Sequence, residues 1–195
     1  MKAQEQLTAI REYVKKSFSN ERTGHDLYHL QRVTRLANKI AKQEGANLFR
    51  CETIAWLHDM TDHKLVGDEQ EASHTLKNFL ISIELSTSEI EEILEAIRTI
   101  SYSKGETPSS LEGKIVQDAD RLDAIGAIGI ARAFTYGGAR GKFMYHEQLS
   151  DNTIQHFYDK LLKLKSTIHT ATAKSIAEER HHYMEQFLEQ FKSEW

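Results

Sequence analysis

Three short stretches of this 195-residue chain hold residue types that do chemistry in combination. His25-Asp26-Leu27-Tyr28-His29 sets two histidines four residues apart. Ala55-Trp56-Leu57-His58-Asp59 is an apolar run that closes on an imidazole and a carboxylate. Asp118-Ala119-Asp120-Arg121-Leu122-Asp123 threads three acids through the apolar residues Ile115, Val116, Leu122 and Ile125. A charge at the edge of a core is costly unless it is paired or bound to a metal, so Asp59 needs a neutralising partner. Imidazoles and carboxylates without thiolates form a mixed N/O donor set. Such a set suits Mn²⁺ first, and Mg²⁺, Co²⁺, Fe²⁺, Ni²⁺ or Zn²⁺ as alternatives, with waters in the open positions; it argues against a closed structural zinc. Open positions point to catalysis, in which the cation polarises a phosphoryl oxygen and acidifies a bound water.

Each stretch also has a plainer reading. His25-Asp26-x-x-His29 mimics the H-E-x-x-H zinc protease motif, but the shorter Asp would hold an attacking water poorly. His25 follows directly on Gly24, where a helix is only starting, and reads as polar surface. His29 differs. Steps of three and four place it with Val33, Leu36 and Ile40 on one buried face. A buried histidine is more often a satisfied core group than a ligand, and the His58-Asp59 pair shifts that balance. A charge run is usually a solvated face, so one or two of Asp118, Asp120 and Asp123 are expected to face water. Spacing alone does not say which of them turns inward.

The elements that must position these residues are almost all helical. There is one proline, Pro108, and the apolar residues recur at helical rather than alternating spacing. The pattern predicts helices near 4–17, 26–44 and 48–60, with Gly45 as a stop and Asn47 as a cap. Asp68 with Glu71, Ser86 with Glu89 and Ser109 with Glu112 read as capping boxes that open three more helices. The last of these either continues or breaks near Gly126 on its way to Phe134. Tyr136-Gly137-Gly138-Ala139-Arg140-Gly141-Lys142 reads as a glycine-rich basic loop. Helices near 151–167 and 171–193 close an all-α single domain, 1–195, of eight or nine helices. Its metal-site core spans about 24–132, and the helices of 151–193 pack on it.

Bulk composition narrows the class further. With 39% hydrophobic and 28% charged residues, the chain has the balance of a soluble globular domain. A net charge of −4 argues against a general nucleic-acid or membrane-surface binder. The single cysteine, Cys51, excludes an internal disulfide and fits a reducing compartment. The N-terminus has no apolar signal core, and no apolar run approaches the roughly 18 residues of a membrane span. The expectation is a cytoplasmic protein.

The order His29, then His58-Asp59 after an apolar helix, then Ala119-Asp120-Arg121-Leu122 resembles the H…HD…D pattern of the HD-domain metal-dependent phosphohydrolases. Gly24 to His29, Leu57-His58-Asp59 and the block from Gly113 to Arg132 resemble a bacterial subgroup of YpgQ/YedJ-like HD hydrolases. The resemblance implies an α-helical HD domain and the metal ligands His29, His58, Asp59 and Asp120. It implies hydrolysis of nucleotides, most specifically of nucleoside triphosphates to a monophosphate and pyrophosphate. The alternatives are a 5′-nucleotidase or (cyclic) nucleotide phosphodiesterase, and a non-catalytic sensor of nucleotide or metal. In some relatives an acid three residues after the HD aspartate is the general base, which selects Asp62; Asp68 lies near the place of a second acid, unless it is only a helix cap. A polyphosphate needs cations as charge develops. Lys64 is expected in the catalytic set beside Asp62, and Arg121, Arg140, Lys142, Asp68 and His25 among the substrate contacts. Tyr28 and Tyr102 could stack on a base, although core packing is the better expectation for Tyr28. His181-His182 reads as a surface pair. An amphipathic C-terminal helix could serve a homodimer.

Overall fold

The computed structural model describes residues 1–18, 26–61, 67–101 and 105–195. Among them are nine α-helices, one 3-10 helix and no strand, so the fold is all-α. In chain order these are α1 (Ala3–Ser17), α2 (Leu27–Glu44), α3 (Leu48–Leu57), α4 (Glu69–Ser82), α5 (Thr87–Ile100), α6 (Leu111–Asp123), α7 (Gly126–Ala139), α8 (Thr153–Asp159) and α9 (Ala171–Glu194). The 3-10 helix Leu161–Thr167 lies between α8 and α9. The expected helix over 151–167 is therefore two pieces, divided at Lys160 (φ −134°, ψ −60°). Neither glycine nor proline marks that break.

α3 is the central element. Cys51, Ile54, Ala55, Trp56 and Leu57 are all buried, and a run of consecutive apolar residues that covers every side of its last turn has to be surrounded. It packs between α2, α6, α1 and α5. Asn47 caps it by accepting from Arg50 N at 3.1 Å, as its position predicts. α2 turns Leu30, Val33, Ala37 and Ile40 inward on the same stripe as His29. Asp26, the acid between the two histidines of the first stretch, is the α2 cap: its side chain accepts from His29 N at 2.8 Å. That position fixes where the His29 side chain begins and explains an acid there without any catalytic role.

The Ser86–Glu89 capping box forms. Ser110, not Ser109, caps α6 by accepting from Gly113 N. α6 and α7 are separate helices because Gly126 takes a left-handed backbone (φ +76°) that a side chain disfavours. Arg180 of α9 also presses on that position, so a Cβ there would lie 3.0 Å from its Cγ. The glycine-rich stretch is not a loop for most of its length: α7 runs through Tyr136, Gly137, Gly138 and Ala139. Gly137 is needed for packing, since a Cβ there would lie 2.2 Å from Thr153 Oγ1 at the start of α8.

α9 lies across α7, α6 and α2, and buried apolar residues from α1 to α9 join in one cluster. No helix among the described residues is long and apolar enough to cross a membrane.

Candidate metal centre

His29 leaves the first turn of α2, His58 and Asp59 follow the last turn of α3, and Asp120 lies on the third turn of α6. His29 Nε2 is 3.5 Å from Asp59 Oδ2 and 3.5 Å from Asp120 Oδ1. His58 Nε2 is 3.5 Å from Asp59 Oδ1 and 3.8 Å from Asp120 Oδ1. The most compact set is His29, His58 and Asp120, whose ligand atoms all lie within 4.8 Å of one another; Asp59 stands beside it, one oxygen towards each imidazole. His29 is fully buried, His58 and Asp59 nearly so, and Asp120 is partly open to solvent. One side of the cluster therefore faces the core and the other can admit a substrate.

The protonation of both rings is fixed by what lies behind them. His58 Nδ1 is 2.8 Å from Ala55 O, and a carbonyl only accepts, so Nδ1 bears the hydrogen. His29 Nδ1 is 2.8 Å from Asp123 Oδ2 and also 3.2 Å from Arg132 Nη1. A guanidinium has no acceptor, so the ring donates to the carboxylate and the arginine is a neighbour rather than a partner. With Nδ1 engaged from behind, Nε2 is the atom that each ring turns towards the carboxylates. His58 Nε2 is buried and has no hydrogen-bond partner among the described residues. Two lone pairs and two carboxylates around one point fit a divalent cation, which two carboxylates neutralise. Burial alone would lower the His29 pKa, but hydrogen bonds to Asp123 and Asp59 and the charges of Asp59 and Asp120 win and raise it to about 9. A cation at Nε2 competes with that second proton.

The three aspartates of α6 divide the work, and none is a solvated spectator. Asp118 is fully buried and accepts from His169 N, Thr170 N and Thr170 Oγ1, each at 2.8 Å, at the start of α9. Asp120 faces the histidines. Asp123 is buried and accepts from Arg32 Nε at 2.7 Å, Arg32 Nη2 at 3.0 Å and Arg132 Nη1 at 2.5 Å, besides His29. Burial would raise its pKa, but the hydrogen bonds from His29 and Arg32 and the charge of Arg132 hold it well below the usual carboxylate range.

The other expected site residues fall in three groups. Asp62, Lys64, His25 and Tyr102 lie outside the described residues. Asp68 spends its carboxylate on Gln70 N and Glu71 N, as the cap of α4. Arg121 is buried and donates to Thr167 O and towards His169, because one residue past Asp120 the helix has turned to face α9. Lys142 pairs with Asp151 at 2.5 Å, and Arg140 lies over the Tyr136 ring, so neither joins the histidine cluster. Tyr28, expected in the core, is 68% exposed. Of the expected surface pair, His182 is exposed but His181 is mostly covered, and both contact Glu185.

Asp123, Arg32 and Arg132 were not singled out by sequence reasoning. The one usable signal for Asp123 is its spacing, one helical turn after Asp120 on the same face. A cleft of about 680 Å³ between α4 and α5 is lined by His74, Lys77, Leu94 and Arg98 and by Thr61, two residues after Asp59 in the chain.

The HD domain family matches residues 26–125, a stretch that contains all four expected ligands. The Bacillus subtilis protein YpgQ is 39% identical over 198 aligned residues, which cover all of this chain and 96% of that one. The crystal structure of B. subtilis YpgQ in complex with ADP superposes with a TM-score of 0.87 at 37% identity, over 100% of this chain and 97% of that one. A Bacillus thuringiensis HD-superfamily hydrolase gives a TM-score of 0.86 at 42% identity, over 100% and 98%. The chain belongs to the HD-domain family of metal-dependent phosphohydrolases, in its YpgQ-like group.

Proposed function

We propose that the protein hydrolyses nucleotides with a divalent cation, Mn²⁺ in the first instance, held by His29, His58, Asp59 and Asp120. Its specific activity is cleavage of nucleoside triphosphates to a monophosphate and pyrophosphate. The observation that carries the cation is the convergence of two fixed Nε2 lone pairs with the carboxylates of Asp59 and Asp120. When bound, the cation would polarise a phosphoryl oxygen and acidify a water. The nucleotide reading is supported by the YpgQ relative, solved in complex with ADP. The cleft between α4 and α5 falls in the size range of small-molecule sites, and Lys77 and Arg98 line it. The pyrophosphohydrolase reading draws on the match to the long block from Gly113. Asp62 is the proposed general base.

The test is a matrix of divalent cations against nucleoside mono-, di- and triphosphates, with the products identified. Pyrophosphate release from triphosphates supports the proposal. Orthophosphate alone from monophosphates makes the protein a nucleotidase. Cation binding without turnover of any nucleotide makes it a sensor.

A further inference from the structure

The buried carboxylate of Asp123 has no place in the ligand set, yet it is among the most heavily engaged groups in the molecule. Its partners come from two helices, His29 and Arg32 from α2 and Arg132 from α7, so that with α6 the contact joins three helices. Arg32 grips it as a fork, with Nε on Oδ1 and Nη2 on Oδ2, so the carboxylate plane is fixed. Oδ2, the oxygen that faces His29 Nδ1, also takes Arg132 Nη1. Arg132 in turn reaches back to the Asp123 main-chain oxygen at 3.4 Å.

We infer that Asp123, locked by Arg32 and Arg132, is a positioning residue that keeps His29 in its Nδ1–H form and aims Nε2 at the cation. The inference rests on the metal-centre reading above. A buried imidazole has two ring nitrogens and can be useful as a ligand through Nε2 only if the hydrogen stays on Nδ1. A carboxylate behind Nδ1 fixes both the tautomer and the ring plane, and such outer partners are typically worth 10–100-fold in metal affinity. The two arginines have a separate task. They hold Asp123 ionised in a buried site, where a carboxylate facing only a neutral ring would tend to take up a proton. An asparagine cannot replace it, because one oxygen cannot serve both His29 and the Arg32 fork.

The experiment compares the wild type with Asp123→Asn at 10 °C, where destabilised variants stay folded. Mn²⁺ affinity is measured by calorimetry. ¹⁵N spectra of the histidine rings are recorded on metal-free protein through an alkaline pH series, up to the plateau at which the rings are neutral. In the wild type both His29 and His58 are expected as Nδ1–H. In Asp123→Asn, Mn²⁺ binding is expected to weaken by about 10–100-fold, and His29 alone should populate the Nε2–H form. His58, held by Ala55 O, is the internal control. Wild-type His29 found as Nε2–H overturns the inference without needing any variant to fold. So does an Asp123→Asn protein that melts earlier but binds Mn²⁺ within about twofold of wild type, the result a purely structural role predicts. Wild-type protein that binds no divalent cation removes the metal-centre reading itself, while the ring spectra still report on Asp123.

Discussion

His29 and His58 present the same atom to the same point, but the protein secures them by opposite means. Behind His58 is a backbone carbonyl, Ala55 O, one helical turn earlier on α3. That contact is local and neutral, and it forms whenever α3 does. Behind His29 is a salt-bridged carboxylate assembled from α2, α6 and α7. That contact is distant in sequence and charged, and it forms only when three helices are docked. One ring is set by secondary structure and the other by tertiary packing, so the two should respond differently to perturbation.

The largest effect comes from removing either ring. His29→Ala and His58→Ala should each lower Mn²⁺ affinity and turnover by more than the roughly 100-fold upper range of an outer-shell change, measured by calorimetry and product release. The comparison predicts near-equal losses here; a large inequality would mean that one ring is not a ligand. Next, Leu57→Ala strikes the His58 side. Leu57 is fully buried in the last turn of α3, and losing it should cost about 2–5 kcal/mol in chemical denaturation. The His29 ring spectrum should remain as in wild type. Gly126→Ala strikes the His29 side by forcing a side chain into a left-handed position, at a cost of about 1–2 kcal/mol. Because α7 carries Arg132, this variant should disturb His29 more than His58 in ring spectra.

The smallest effect lies away from the site. Glu52 on α3 bonds Arg11 of α1 and Asn38 of α2. Burial would raise its pKa, but those bonds win and lower it. A lowered carboxylate stabilises the fold above its unfolded pKa and loses that contribution as pH falls through the folded value. Glu52→Gln should therefore cost about 1 kcal/mol at pH 7, and the difference from wild type should begin to shrink below about pH 4 and vanish once pH has fallen through the lower folded value. A gap that persists in acid would locate the loss in packing, not charge.

The His58 side was also the more legible one. The apolar run of α3 declares a buried helix, and His58-Asp59 at its end declares a charge in need of a partner. Caps such as Asn47 and Ser86 are local signals, and they read correctly. The His29 side was legible only to its first atom. Helical periodicity buried the ring, and the family pattern nominated Asp120, but the spacing that puts Asp123 on the face of Asp120 did not reveal the separate tasks of Asp118, Asp120 and Asp123. Those tasks depend on which helix lies opposite each face of α6, a matter of packing between residues some 50 to 90 positions apart. The same limit explains Arg121, whose cationic side chain suggests a phosphate partner until α9 is seen beside it. The helical glycines of α7 misled in the other direction, because Gly137 serves the close approach of Thr153 and not a turn.

The buried carboxylate of Asp118 has a consequence for the order of events in synthesis. Its three donors belong to His169 and Thr170, about fifty residues further along the chain. Until that segment leaves the ribosome, α6 holds an acid that the core cannot accept, two positions from Asp120. The helices that bear His29 and His58 are made early, but α6, which bears Asp120, can settle into the core only when the segment before α9 is there to satisfy Asp118.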